Sequence, residues 1–268
     1  MSYLHDLLNS GVFGEGEGGG GDVTIEPLSV NKNGIYTAPS GKAYSPVTVD
    51  VFKMQTFATK LDSAFSSGSY VDPIPTDIPK NIVIDAPNCF SIYNMFSQSS
   101  IYSNASLGIE SVTLILHRPV AARGTFSRNY SIKTVSFPNG ITIKGEVASF
   151  IQQSHVEEIT GIIDLSPGMT VIIGAFASNY LKKITFAKNC IDFSTAFTSD
   201  VLTDASLVSI ANALSDEVSG KTLTHTATAK TRCGQIVGTV SDGLFTQDDS
   251  GSLTLTEFIT NEKGWTLA

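Results

Sequence analysis

Short β-type runs recur through the middle of the chain, and a phenylalanine follows each one. The four clearest runs begin at residues 112, 135, 159 and 184, so their starts are 23, 24 and 25 positions apart. An earlier, degenerate copy begins at Ile82. The five accompanying phenylalanines are Phe96, Phe126, Phe150, Phe176 and Phe197. A period in the low twenties predicts a solenoid, because so small a coil cannot bury its own apolar face and must stack on the next. We expect the five rings to form a shared core, which favours binding or assembly over catalysis.

The composition excludes several classes of protein. The chain has 268 residues, of which 41% are hydrophobic and 16% charged, against about 25% charged in ordinary globular domains. Its net charge is −8 and its arginines are scattered, which argues against nucleic-acid binding. No apolar run reaches the length of a membrane span, so none is expected. The N-terminus lacks the basic and long apolar regions of a secretory signal, so we expect the protein either to stay where it is made or to leave the cell by another route, such as lysis.

The three cysteines predict neither a disulfide framework nor a zinc site. The number of cysteines is odd, and no two of them have C-x-x-C spacing. They are Cys89, Cys190 and Cys233. Cys89 and Cys190 each lie seven residues before a repeat phenylalanine. This position is expected to face the interior, so the thiols are interpreted as small buried hydrophobes.

The first 21 residues combine a short apolar segment with a glycine run. Leucines and a valine fall near one face of a possible helix, and residues 14–21 read as a flexible hinge. Such a segment suits docking into another protein, although a frayed terminus explains it equally well. The candidate attachment residues are Tyr3, Leu4, Leu7, Leu8, Val12 and Phe13.

Residues 22–52 are predicted to form a small β unit, followed by a connector over residues 53–80. Val47, Val49 and Val51 alternate as in a half-buried strand, and Asn33-Gly34 is a hairpin signal. About 30 residues bury little core alone, so the unit should pack on a neighbour or on copies of itself. Three prolines between residues 73 and 79 indicate that the connector is extended.

Residues 81–200 are assigned to the repeats and residues 201–268 to a C-terminal α/β cap. The spacing of Leu207, Ile210, Ala211 and Leu214 predicts a helix, with Thr203 or Asp204 as its N-cap. Near the C-terminus we expect a helical turn over residues 257–262, ended by Gly264, and then a closing strand over residues 265–267. The predicted fold class is therefore β-rich α+β, with a short solenoid between a small β unit and an α/β cap.

No catalytic constellation emerges, so we predict no enzymatic activity and no cofactor. The histidines (His5, His117, His155 and His225) lack metal-ligand spacing, and no Gly-x-Ser-x-Gly motif frames a nucleophile. Glu157 and Glu158 are adjacent, so a strand would point them to opposite faces. Exposed tyrosines could stack on sugars, although single exposed tyrosines are common on any surface. The candidates are Tyr93, Tyr102, Tyr130 and Tyr180.

Two segments carry a resemblance to known families. Residues 132–143 (IKTVSFPNGITI) and 181–197 (LKKITFAKNCIDFSTAF) resemble the bacterial surface leucine-rich repeats called BspA-like. Residues 33–51 (NGIYTAPSGKAYSPVTVDV) and the C-terminal KGWTLA are similar to segments of phage and prophage virion proteins. The resemblance implies a leucine-rich-repeat-like solenoid in a tail, baseplate or fibre component, located in the virion. It also implies a homo-oligomer, with a trimer as the guess, and other virion proteins as partners of the N-terminus.

Three classes of function therefore stand side by side. The leading hypothesis is a non-enzymatic phage structural protein whose solenoid presents a surface, with a host surface glycan or protein as the candidate ligand. The second is a bacterial cell-surface adhesin or protein-interaction module with the same repeats, which would need an export signal or a wall anchor. The third is a glycan-active enzyme, which would need a convergent pair of carboxylates.

Overall fold

The chain is strand-rich, with a parallel sheet and a few helices. The structure, a computed structural model, describes residues 29–30, 36–37, 51–55, 59–62, 80–97, 109–165, 170–171, 174–218 and 220–268. The predicted attachment residues, most of the small β unit and Tyr102 lie outside the described residues.

The strands and helices run in the following order. The strands are β1 Ser29–Val30, β2 Tyr36–Thr37, β3 Val51–Gln55, β4 Asn81–Ala86, β5 Ser111–Leu116, β6 Thr134–Ser136, β7 Ile141–Ile143, β8 Glu146–Val147, β9 Glu158–Leu165, β10 Thr170–Val171, β11 Lys183–Phe186, β12 Thr195–Phe197, β13 Thr222–His225, β14 Val237–Ser241, β15 Leu244–Gln247, β16 Leu253–Thr254 and β17 Thr266–Leu267. The helices are α1 Asp204–Ala213, α2 Ala227–Cys233 and α3 Leu255–Glu257, which continues into a π-helical turn over Phe258–Glu262.

The central sheet is parallel and follows the predicted period. Its strand order is β11-β9-β6-β5-β4-β3, with β7 also paired to β9. Val112 pairs with Val135, and Val135 with Ile159, which are the offsets of 23 and 24 read from the sequence. The degenerate copy also joins in register, because Ile82 pairs with Val112. Alternate residues of β4 and β5 are buried, so one face of these strands packs on the core.

Behind the sheet, the five repeat phenylalanines form one continuous stack of buried rings. Phe96, Phe126 and Phe150 are 0% exposed, and Phe176 and Phe197 are each 1% exposed. Successive ring centroids are 5.5, 5.5, 5.9 and 5.8 Å apart. Burying each ring contributes roughly 1.5–3 kcal/mol. The ring stack therefore supplies a core shared by consecutive repeats.

The cysteines are inert in this setting. Cys89 and Cys233 are buried, and Cys190 is half-buried against the core. Burial raises the pKa of each of these thiols to about 11. The thiolate form that reacts is therefore disfavoured.

The irregular repeat around Gly161 contains a bulge in the long strand β9. Its first part pairs with β6 and its last part with β7, and its register against β11 shifts between Lys183 and Thr185. Gly161 has φ +93°, and a Cβ there would lie 2.1 Å from the carbonyl oxygen of Phe137. Only glycine fits this approach. The bulge leaves the neighbouring Ile162 side chain 55% exposed.

The sheet extends beyond the N-terminal limit that we predicted for the repeats. Strand β3 pairs with β4 over its whole length, so it crosses the predicted boundary at residue 52 and takes in residues 53–55 of the connector. Leu61 is also fully buried, and Lys60 forms a parallel bridge with Ser91. Residues 53–55 join the sheet, where pairing supplies partners for their backbone groups, whereas Lys60 lies on an isolated bridge outside the named strands. Earlier in the chain, β1 and β2 form a separate antiparallel pair on either side of Asn33-Gly34.

The C-terminal region closes the edge of the central sheet. Helix α1 begins after Thr203, whose side chain accepts a hydrogen bond from the Ser206 N–H, as predicted for the N-cap. Two serines of α1 accept hydrogen bonds from the edge strand: Ser206 from Ile184 N–H at 3.1 Å and Ser209 from Phe186 N–H at 2.9 Å. The helix thus covers donors that would otherwise attract another strand.

No break in packing separates the predicted cap from the repeats. Strand β12, from the last repeat, pairs in parallel with β13, and β13 pairs with the closing strand β17. The second cap sheet is antiparallel, in the order β15-β14-β16. Gly264 ends the final helical turn with φ +68°, and the strand predicted after it is present as Thr266–Leu267.

Candidate binding surface

A column of buried polar side chains organises the loops that follow the ring stack. Asn129, Ser154, Ser178 and Ser199 are each at least 99% buried. The side chain of each accepts a hydrogen bond from the backbone N–H two residues later. Asn129, Ser178 and Ser199 also donate to a carbonyl of the preceding repeat. These bonds fix each loop against its neighbour. Our sequence reasoning missed this column, although a Ser or Asn recurs two to four residues after each of the five phenylalanines.

These loops bring three surface rings together, which we call the aromatic column: Tyr130, His155 and Tyr180. The centroids of Tyr130 and His155 are 5.0 Å apart, and those of His155 and Tyr180 are 4.1 Å apart. The His155 N–H donates to the carbonyl of Asn129, next to Tyr130, at 2.8 Å. Tyr180 is 46% exposed and the other two rings are half-buried. Val201, 49% exposed, follows Ser199 by two residues as Tyr180 follows Ser178. An exposed apolar side chain thus occupies the position equivalent to Tyr180 on the next repeat.

Beside the rings runs a charge column of alternating sign: Lys80, Glu110, Lys133, Glu157 and Lys182. From Glu110 onward, the backbone N–H of each of these residues donates a hydrogen bond to the backbone carbonyl of the residue before it in the column, at 2.6 to 2.8 Å. The side chains of Lys80 and Glu110 pair at 2.9 Å, those of Lys133 and Glu157 at 3.8 Å, and those of Glu157 and Lys182 at 2.6 Å. Alternation places opposite charges on neighbouring repeats, whereas a uniform column would repel itself.

The two columns meet at Lys133. Its ammonium lies 5.9 Å from the centre of the Tyr180 ring, within cation–π range. Desolvation lowers the pKa of His155, and the Lys133 charge adds to the shift, so the ring is neutral at neutral pH. The hydrogen bond from Lys182 lowers the pKa of Glu157. The result is a surface with exposed ring faces and internally paired charges.

The structure joins only part of the predicted sugar-stacking set. Tyr130 and Tyr180 share the aromatic column through His155, which we had considered only as a metal ligand. Tyr93 lies apart from them in an earlier loop, where its N–H donates to Asp62 at 2.9 Å.

The groups considered for catalysis do not converge. Glu157 pairs with Lys182 and Glu158 with Lys183. His117 contacts Asp85 at 2.8 Å, and both side chains are partly exposed. Within the described ranges, no group of three or more His, Cys, Asp or Glu residues could hold a metal ion.

His225 lies inside the protein. It is 6% exposed, and neither ring nitrogen makes a hydrogen bond of normal geometry in the described part of the chain. Burial lowers its pKa to about 4, opposed only by the nearby backbone of Phe197. The imidazole is therefore a neutral core group packed 5.8 Å from the Phe197 ring.

Comparisons with known proteins identify no relative of this chain. No family model matches the chain, and neither a curated protein nor a solved structure matches it significantly. Across the described helices, none is both long and apolar enough to cross a membrane.

Proposed function

We propose that the chain is a non-enzymatic structural protein of a phage particle, in which a short leucine-rich-repeat-like solenoid presents a binding surface. The observation that carries the proposal is the stack of five buried rings behind strands in parallel register. Such a stack gives a rigid support on which side chains of equivalent position line up. The charge and aromatic columns are two such lines.

In this proposal, residues 1–21 dock the chain into the particle and the columns face outward. The covered edge at α1 supports this arrangement, because it limits end-to-end pairing of the sheet at that side. Homo-oligomers are expected, with a trimer as the specific guess, and other virion proteins are the expected partners of the N-terminus. This part of the proposal rests on the resemblance of residues 33–51 and 263–268.

Two measurements test the structural role. Mass spectrometry of particles purified from a lysate of the source bacterium should detect the chain in stoichiometric amount. Light scattering coupled to size-exclusion chromatography should then show different assembly for residues 1–268 and 22–268. A chain that is missing from particles contradicts the virion role, whereas identical monomers contradict docking and oligomerisation through the N-terminus.

The partner that best fits the aromatic column is a neutral glycan on the host surface. Ring faces pack against the apolar C–H faces of sugars, while the nearby lysine and glutamate side chains offer hydrogen bonds to hydroxyls. The paired charges leave no strong field to attract a charged polymer.

Binding of neutral hexose and N-acetylhexosamine oligosaccharides by calorimetry tests this assignment. Tyr180→Ala should weaken binding at least about tenfold, which corresponds to about 1.4 kcal/mol. Tyr93→Ala is the matched control, since it removes a tyrosine away from the column, and it should leave binding unchanged. Equal loss in both variants, or no binding by the parent chain, refutes the glycan assignment without touching the virion role.

A further inference from the structure

The C-terminal KGWTLA segment places a lysine amine inside the protein, against an asparagine side chain. The Lys263 side chain is only 2% exposed. Its Nζ lies 2.7 Å from Asn189 Oδ1 and 3.9 Å from Asp216 Oδ2. The Phe258 ring flanks the amine, with its centroid 5.6 Å away. An amine, a carboxamide and a carboxylate thus meet beside an aromatic ring.

Backbone and neighbouring hydrogen bonds hold both Lys263 and Asn189 in place. The Lys263 N–H donates to Phe258 at 3.0 Å, and two residues later Trp265 Nε1 donates to the Ser215 carbonyl at 2.9 Å. Asn189 has φ +52°, and its N–H donates to Asn212 at 3.1 Å. Because both ends are anchored, the amine is held against the side-chain amide of Asn189, in contact with its oxygen. Such positioning replaces much of the entropy cost of a reaction.

Burial also favours the nucleophilic form of the amine. Desolvation lowers the pKa of Lys263, with the Asp216 charge opposing the shift. A desolvated lysine is a recognised way to obtain an amine nucleophile. Asp216 is partly exposed, so it can exchange protons with water while it faces the amine.

We propose that Lys263 and Asn189 form an intramolecular isopeptide bond, with Asp216 carrying the proton. The unprotonated Nζ attacks Asn189 Cγ, and an N–C bond forms. Asp216 accepts a proton from Nζ and delivers it to Nδ2. The Cγ–Nδ2 bond then breaks and one ammonia leaves. No oxidant, reductant or activated co-substrate is consumed, so atoms and charge balance within the protein.

Such a bond would tie the C-terminus to the last repeat. The two residues are 74 positions apart in the chain. A cross-link across so long a loop restricts the unfolded chain. It would also keep the tail strand β17 attached to the edge of its sheet under force or heat, which suits a particle exposed outside a cell.

Intact-protein mass spectrometry of the purified full chain tests the proposal. The wild-type mass should lie about 17 Da, one ammonia, below the mass of the sequence. Trypsin should release residues 189–221 joined to residues 233–268, because the modified Lys263 is no longer cleaved. Asn189→Ala should show the full sequence mass, and Asp216→Asn should leave most of the chain unjoined after folding.

Two results would overturn the assignment. A wild-type chain of full sequence mass would leave Lys263 and Asn189 as a hydrogen-bonded pair only. A loss of ammonia that peptide mapping places at Asn33-Gly34 or Asn139-Gly140 would be a succinimide, a common reaction of Asn-Gly pairs, and equally contradicts the cross-link. The wild-type measurement decides the point even if a variant folds poorly.

Discussion

Truncating the central ring of the stack should destabilise the protein strongly. Phe150 is fully buried and makes edge-on contacts with Phe126 at 5.5 Å and Phe176 at 5.9 Å. Phe150→Ala removes the transfer free energy of the ring and two aromatic pairs, each worth about 0.5–1.5 kcal/mol beyond area burial. Phenylalanine-to-alanine changes in cores cost about 3–5 kcal/mol in all.

The upper part of that range applies because the surroundings cannot collapse easily. The Phe126 N–H donates to Phe150 at 2.8 Å, and the Ile151 N–H donates to Ala175 at 3.0 Å, so the repeats above and below are held apart at fixed spacing. We therefore expect a loss of about 4 kcal/mol in the free energy of unfolding. The midpoint of thermal unfolding should fall by about 8–16 °C, at about 2–4 °C per kcal/mol for a chain of this size.

Urea unfolding followed by circular dichroism measures this loss, and buried Trp265 reports the cap by fluorescence. Phe150→Leu keeps part of the volume and should cost about half as much, which provides a measurement if the alanine variant fails to fold. Tyr180→Ala is the control on the surface and should cost less than about 1 kcal/mol. A Phe150→Ala loss below about 1 kcal/mol would refute the shared ring core.

Three further changes probe the core, the charge column and the covered edge. His225 has a pKa near 4 when folded, against 6.5 ordinarily, so the unfolded chain binds its proton first and the free energy of unfolding falls as pH drops from 6.5 to 4. Urea titrations at pH 7 and 4.5 should show that the free energy of unfolding is lower at pH 4.5, by up to about 3 kcal/mol. The difference between the two pH values should be smaller in His225→Leu, and an equal difference in both proteins would contradict the prediction. Glu157→Lys places like charges beside Lys182 and should lower stability by about 0.5–1 kcal/mol at low salt, with the loss shrinking at 1 M salt; a salt-independent loss would point to packing instead. Ser206→Ala leaves the Ile184 N–H without its acceptor and should cost about 1–3 kcal/mol in urea melts, whereas an unchanged midpoint would show that water replaces the hydroxyl.

The sequence predicted the repeats well because their period is a local property. The offsets between runs at 112, 135 and 159 match the observed strand register. The helix at 204–213 and the turn ended by Gly264 were also predicted, since caps and helical spacing are read within a few residues. The sheet continues on the N-terminal side of the predicted repeats, because β3 owes its place to pairing with β4, a long-range contact that local spacing does not reveal.

The charge column could have been found from the same period. Its members all lie two residues before the start of a run: Lys80, Glu110, Lys133, Glu157 and Lys182. The sequence analysis considered Glu157 only as an acid/base pair with its neighbour Glu158. In a parallel stack the side chain that contacts Glu157 comes from the next repeat, where Lys182 pairs with it. The members of the aromatic column also lie 25 positions apart, at residues 130, 155 and 180. This column was missed because His155 was considered only as a metal ligand and not as a ring between the two tyrosines.

The amino-acid order by itself determined the period, the identity of the buried rings and the elements of the cap, since all three follow from side-chain size and short-range spacing. Tertiary structure alone decided which surface rings touch and which buried polar groups meet. Lys263 and Asn189 are separated by 74 residues and face each other only because the closing tail packs on the last repeat. Contacts between residues so far apart in sequence depend on the tertiary fold of the chain, and local propensities do not determine that fold.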